Sequence, residues 1–261
     1  DTPPAFRGHR PPCGKLCRRR QHQDNEQSSG VAAYYSSEES MAQASSVRGW
    51  LGLARLRQEL QLLTGGAHLA IADVGGGTGT IAHWLAARGH QVSLLELSSK
   101  QLPRAQDDES ADFPLAEYRL GDARRLPWDA GSFDVVLLLG PLYHLDSTAH
   151  RVEALTEAAR VVRPGGHVVA ETLGRITPMA SVAWGNEFAP SRTVASKILN
   201  SGHQIPTAED PWFTSAYYHA VGEPASEFSS AGIPVVDTLA LEGPWWFAPS
   251  AMRNPLEDKE S

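Results

Sequence analysis

From residue 68 onward, short apolar runs alternate with longer amphipathic stretches. The runs at 68–74, 91–97, 117–120, 133–139 and 167–173 have strand length, and most are nearly continuous in apolar residues. That is how strands covered on both faces read. Helical spacing fills 80–88, 99–105 and 149–162 between them. Upstream, Leu51, Leu53, Leu56, Leu60 and Leu63 recur near helical spacing until Thr64-Gly65-Gly66, so residues 31–63 are predicted helical. The alternation predicts an α/β fold with a doubly wound, mainly parallel, Rossmann-like sheet. Residues 174–230 break the rhythm, with Trp184, Phe188, Trp212, Phe213, Tyr217 and Tyr218 set among Pro, Gly and Ser. They are expected to form a helical and loop cap over the carboxyl edge of the sheet. A further strand is expected at 233–241.

Residues 1–30 lack apolar periodicity and are expected to be a disordered basic tail, leaving 31–261 as one domain with the cap inside it. Six of the 23 Lys and Arg lie in the first twenty residues. Without that segment the chain holds 17 basic and 29 acidic residues, a net of −12. Such a body repels phosphate backbones, which speaks against nucleic acid as a partner. Cys13 and Cys17, the only cysteines, lie in the tail, so a disulfide framework is excluded and a reducing, cytoplasmic setting fits. His9, Cys13, Cys17 and His22 lack the tight pairs of a zinc module, so no metal is expected. No apolar run approaches membrane-spanning length.

Candidate chemistry gathers at Asp73-Val74-Gly75-Gly76-Gly77-Thr78-Gly79, which closes one predicted strand and opens a helix. Glycines there allow a tight turn and close approach of backbone to a ligand. The dinucleotide fingerprint wants Gly or Ala where Thr80 stands. A carboxylate at Asp73 would repel a pyrophosphate. It suits a ligand carrying an ammonium and a sulfonium, the charges of S-adenosyl-L-methionine. Glu96 ends the next strand about 20 residues on, where a carboxylate can accept from both ribose hydroxyls. Asp122, after the third strand, could accept from an adenine amino group, and the Ala123 N–H could serve the adjacent ring nitrogen.

Asp73–Gly79, Leu95-Glu96-Leu97-Ser98, Gly121-Asp122-Ala123, Phe133-Asp134-Val135-Val136 and Arg163-Pro164-Gly165-Gly166 follow one another in an order that resembles the class I S-adenosylmethionine-dependent methyltransferases. Gly140–Leu145, Tyr34-Tyr35, Tyr217-Tyr218-His219 and Glu242–Trp245 resemble a bacterial small-molecule branch. The resemblance implies that Gly75, Gly77 and nearby backbone hold the methionine part of the donor, with Gly79 and Leu97 in the donor set. It places Leu139 and Gly140 near the transferable methyl, and Tyr35 and Arg55 on helix positions that close over the donor. It also implies a final antiparallel strand that this chain would lack: residues 246–261 carry Pro249, Pro255 and consecutive charges, so the chain looks truncated.

Methyl transfer asks the protein mainly to align nucleophile and methyl and to exclude water. His144, just past the fourth strand, is the candidate general base, with His203 and His219 in the cap as further candidates. Tyr143, His203, Tyr218, His219 and Trp245 are expected to face a small-molecule acceptor. Two other enzyme classes compete, a nicotinamide-dependent oxidoreductase and a nucleic-acid methyltransferase, as does a non-catalytic donor-binding protein.

Overall fold

The computed structural model describes residue 31 and residues 47–183, 189–208 and 212–241. The remainder, including the basic tail, Tyr34, Tyr35, Trp184, Trp245 and residues 246–261, lies outside the described residues, and so do the expectations placed on them.

Helix α1 (Val47–Thr64) precedes strand β1 (Ala70–Val74). Then come α2 (Thr80–Ala86), β2 (Gln91–Glu96), α3 (Gln101–Asp107), β3 (Glu117–Leu120) and β4 (Phe133–Leu138). The short α4 (Pro141–His144) and the longer α5 (Thr148–Val161) lead into β5 (Val162–Ala170). These five strands form one parallel sheet in the order β3-β2-β1-β4-β5. The order reverses between β1 and β4, which is the switch point where such sheets bind ligands beyond their carboxyl ends. Side chains alternate across the sheet as pleat geometry demands. Ala72, Val74, Val136 and Leu138 pack with Ala154, Leu155, Ala158 and Val161 of α5. Ile71, Val135 and Leu137 pack on the other face with Leu60 of α1 and with Ile81, Ala82 and Leu85 of α2. Apolar side chains cover both faces, which is why the central strands read as unbroken apolar runs.

Two expectations need correction. The strand expected at 167–173 begins at Val162 and ends at Ala170. Beyond it, Leu173 and Gly174 form β6, which leaves the main sheet to pair with β8 (Ala216–His219). Together with β7 (His203–Gln204), they make a small sheet in the order β6-β8-β7. The cap therefore holds strands as well as helices α6 (Thr177–Ala183), α7 (Arg192–Ser201) and α8 (Glu223–Ser230). Residues 233–241 form no strand. The Ile233 amide closes the end of α8 on the Phe228 carbonyl, Pro234 has no N–H to give a ladder, and Val235, Val236 and Leu239 are exposed. Among the described strands, β5 is accordingly an edge. No helix among the described residues is long and apolar enough to cross a membrane.

The cap has its own small core of Val194, Ile198, Ala216 and Tyr218. Helix α7 starts on the Ser191 hydroxyl, which accepts from the Val194 N–H, and stops at left-handed Gly202. A buried ion pair joins cap to sheet. Arg151 of α5 is 1% exposed and donates to Glu227 of α8 at 2.8 Å. It also donates to the Leu145 and Asp146 carbonyls and lies 3.8 Å from the centre of the Tyr217 ring. Burial works to raise the Glu227 carboxyl, but hydrogen bonds from His219 and Arg151 outweigh it and hold the group below its usual range. Arg151→Ala would leave that carboxylate and two carbonyls short of donors in the interior. We expect a stability loss of about 3–5 kcal/mol in urea unfolding. A loss below about 1 kcal/mol, the usual ceiling for an exposed pair, would show that water compensates there.

Candidate functional site

The carboxyl ends of β1, β2 and β4 open onto a cavity of about 320 Å³, within the range of small-molecule sites. Its floor is the glycine loop. Gly75 and Gly77 have φ of 75° and 59°, in the left-handed region that glycine tolerates. A Cβ on Gly75 would meet the Pro141 side chain at 2.6 Å, so the loop lies directly against the start of α4. The Gly75 and Gly76 amides donate to the Leu95 carbonyl, which leaves the turn bound to β2.

Two carboxylates lie under and beside this loop. Asp73 is 1% exposed, and its Oδ2 accepts no hydrogen bond among the described residues. Burial and the nearby Glu96 charge push its carboxyl up to about 7, against a hydrogen bond from the Ala82 backbone. Glu96 accepts from the Gly77 amide at 2.9 Å through Oε2 and from the Ser98 amide at 2.7 Å through Oε1. Burial raises the Glu96 carboxyl, and the backbone bonds from Ser98, Gly77 and Leu97 oppose the rise. A cationic group above the loop would relieve both carboxylates, whereas a pyrophosphate would add to their repulsion.

The other expected residues fall into three groups. Gly75, Gly77, Glu96, Leu97, Asp122, Ala123, Leu139, Gly140, Tyr143 and His144 all line the cavity. Asp73 and Gly79 lie beneath or beyond it, Gly79 as the left-handed residue that starts α2. Arg55, His203, Tyr218 and His219 do not line it. Arg55 pairs with Glu59 on α1 at 2.6 Å. His203 meets Asp146 at 2.5 Å on the outer side of the cap. Tyr218 packs in the cap core, and His219 is buried against Glu227.

Asp122 is not a bare turn carboxylate. Arg124 donates to both its oxygens, at 3.0 and 2.6 Å. Burial works to raise it, but the side-chain and backbone hydrogen bonds of Arg124 win and hold it low. Arg124 and Gln101 also belong to the cavity wall. Sequence reasoning passed over both, because an arginine two residues past an aspartate resembles any solvated pair. Gln101, only 6% exposed at the start of α3, had one legible signal: it begins the helix that follows Glu96. On the far wall, the His144 Nδ1 lies 3.2 Å from the Ser215 carbonyl. Burial drives this imidazole down to about 4, against that hydrogen bond, so it is neutral at physiological pH. Tyr143 packs edge-on against it at 4.5 Å.

Comparison with known proteins agrees with this geometry. Residues 72–170 match the family model of the methyltransferase domain. The malonyl-[acyl-carrier protein] O-methyltransferase of Salmonella typhimurium is 33% identical over 144 residues, covering 52% of this chain and 55% of the relative. The 27-O-demethylrifamycin SV methyltransferase of Amycolatopsis mediterranei is 37% identical over 103 residues, 38% of this chain and 36% of its own. The chain thus spans about half the length, or less, of these curated relatives. A SAM-dependent methyltransferase from Leishmania major superposes with a TM-score of 0.59 at 14% identity, covering 82% of this chain and 74% of that one. One from Methanosarcina mazei gives 0.51 at 19% identity, covering 63% and 79%. These two share the fold. Over residues 72–170, somewhat more than a third of its length, the chain is thus similar to the methyltransferase domain.

The Asp73 carboxyl has a direct consequence for stability. Its folded value of about 7 lies above the unfolded value near 3.9. Between those pH values the folded chain holds a proton that the unfolded chain releases, so stability falls as pH rises from about 4 to about 7. Asp73→Asn removes this loss. Without ligand, the variant should exceed the parent by about 1–3 kcal/mol at pH 8 and gain nothing at pH 4, measured by thermal unfolding across pH. A pH-independent difference would contradict the buried, raised carboxyl.

Proposed function

We propose that this chain transfers a methyl group from S-adenosyl-L-methionine to a small-molecule acceptor bound between the sheet edge and the cap. The observation that carries the reading is the buried Asp73 carboxylate, whose Oδ2 lacks a donor, beneath a left-handed glycine loop beside Glu96. These residues fit a cationic nucleoside. Asp73 and the backbone of the glycine loop would hold the methionine part, Glu96 the ribose, and Asp122 with the Ala123 amide the adenine. When bound, the donor supplies a methyl already activated on a sulfonium. Leu139, Gly140 and Tyr143 would then exclude water from the reacting centre and align the acceptor. His144, neutral at physiological pH, would take the acceptor's proton.

The relatives' names support small acceptors, since they include an O-methyltransferase of ubiquinone biosynthesis and a 27-O-demethylrifamycin SV methyltransferase. The net charge of −12 beyond the first twenty residues opposes a nucleic-acid acceptor. A cytoplasmic setting fits the confinement of both cysteines to positions 13 and 17. Glu96→Ala tests the donor site. It removes charge-assisted hydrogen bonds worth about 1.5–3 kcal/mol, so calorimetry should show S-adenosylmethionine binding weakened roughly ten- to hundredfold. Unchanged affinity in a folded variant would overturn the assignment.

A further inference from the structure

Beyond β3 the chain turns, and the Arg125 amide donates to the Asp122 carbonyl. The turn brings Asp122 and Arg124 together, and both line the cavity. The Arg124 Nε donates to both carboxylate oxygens, at 3.0 and 3.1 Å, and Nη2 donates to Oδ2 at 2.6 Å. The Arg124 backbone amide donates to Oδ1 at 2.8 Å. One residue therefore grips the carboxylate with its side chain and its main chain. The two side chains are 18% and 34% exposed, so solvent screens the pair incompletely. From α5, His150 places Nδ1 3.4 Å from Arg124 Nη1, and its charge when protonated favours an ionised Asp122. Glu96, at the end of the adjacent strand β2, is the other carboxylate that lines the cavity.

This grip has two consequences. A carboxylate offers about four acceptor sites. Arg124 takes most of them, and what is left suits a single further hydrogen, such as one N–H of an amino group. The grip also opposes burial. Burial is the largest influence on the Asp122 carboxyl and works to raise it, and the hydrogen bonds of Arg124 are what overcome it. Without Arg124 burial would prevail, the carboxyl would take a proton in mild acid, and its hydrogen bond to a ligand would lose the assistance of charge. A pair that merely stitched the turn would alter stability when removed. It would not alter the recognition of one substituent on a base.

Resting on the methyl-transfer reading above, we propose that Arg124 is a positioning residue for the donor's base: its guanidinium clamps Asp122 so that the carboxylate presents one fixed oxygen to the exocyclic amino group. Arg124 thus acts through Asp122.

S-adenosylhomocysteine and its 6-deamino analogue, which carries purine in place of adenine, differ only in that amino group. Both meet Asp73 and Glu96 alike, so titration of those carboxyls cancels in the ratio of the two affinities. For the full chain, equilibrium dialysis should favour S-adenosylhomocysteine by about ten- to hundredfold, unchanged between pH 5 and pH 8. In Arg124→Met and Arg124→Gln the ratio should fall at least about threefold from pH 8 to pH 5, as a charged acceptor becomes a neutral one. A parent ratio near one, a parent ratio that drops toward pH 5, or a folded variant whose ratio stays constant overturns the proposal. Where neither variant folds, the parent ratio still decides. Failure of the parent to bind S-adenosylhomocysteine overturns the methyl-transfer reading and this proposal together, whereas binding with the wrong ratio strikes the proposal alone.

Discussion

Two carboxylates end adjacent parallel strands, and the glycine loop is folded over one and hydrogen-bonded to the other. The rest of the site depends on this arrangement. Burial raises both carboxyls, the Glu96 charge adds to the rise at Asp73, and the groups that relieve them are backbone amides of Ala82, Gly77, Ser98 and Leu97. The loop must therefore run close to the strand tips. A Cβ on Gly76 would come within 2.8 Å of Asp73 Oδ2, and one on Gly75 within 2.6 Å of Pro141. Close approach brings β1, β2 and the start of α4 to one small floor. It also sets two carboxylates side by side, a repulsion that a proton on Asp73 or a bound cation relieves.

The two halves of the cavity are built by different means. On the glycine-loop side the polar groups are main-chain amides and strand-end carboxylates, positioned by the sheet itself. On the α4 side they are the side chains of Tyr143 and His144 on a four-residue helix, with the Ser215 carbonyl of the cap set against His144. Changes in the cap would reach the α4 side while the sheet leaves the glycine-loop floor intact. That division suits the relatives' names, which share a reaction and differ widely in acceptor.

Much of the first half was legible in the residues. Apolar runs at β1, β2 and β4 mark strands buried on both faces, and the spacing from the loop to Glu96 follows from one βαβ unit. Gly75, Gly77, Glu96, Asp122 and Gly140 could be placed on one edge from that alone. The second half was far less legible. Strands β6 and β7 hold two residues each, too short for any period to register. Residues 233–241 carry strand-forming Ile, Val and Leu but pair with no strand among the described residues, and pairing is not a local property. Arg151 looks like any charged residue of an amphipathic helix. Its burial depends on a glutamate 76 residues away, and no window of sequence contains both.

That separation bears on how the chain reaches its final shape. A guanidinium cannot enter an apolar interior ahead of its counter-charge, so the inner face of α5 must stay hydrated until α8 arrives. Closing so long a span is slow compared with forming either helix. Late docking of the cap would then be the step that expels the last water from beneath α5. Until it occurs, a nascent chain with a complete sheet would still present a wet, unfinished flank to the folding machinery of the cell.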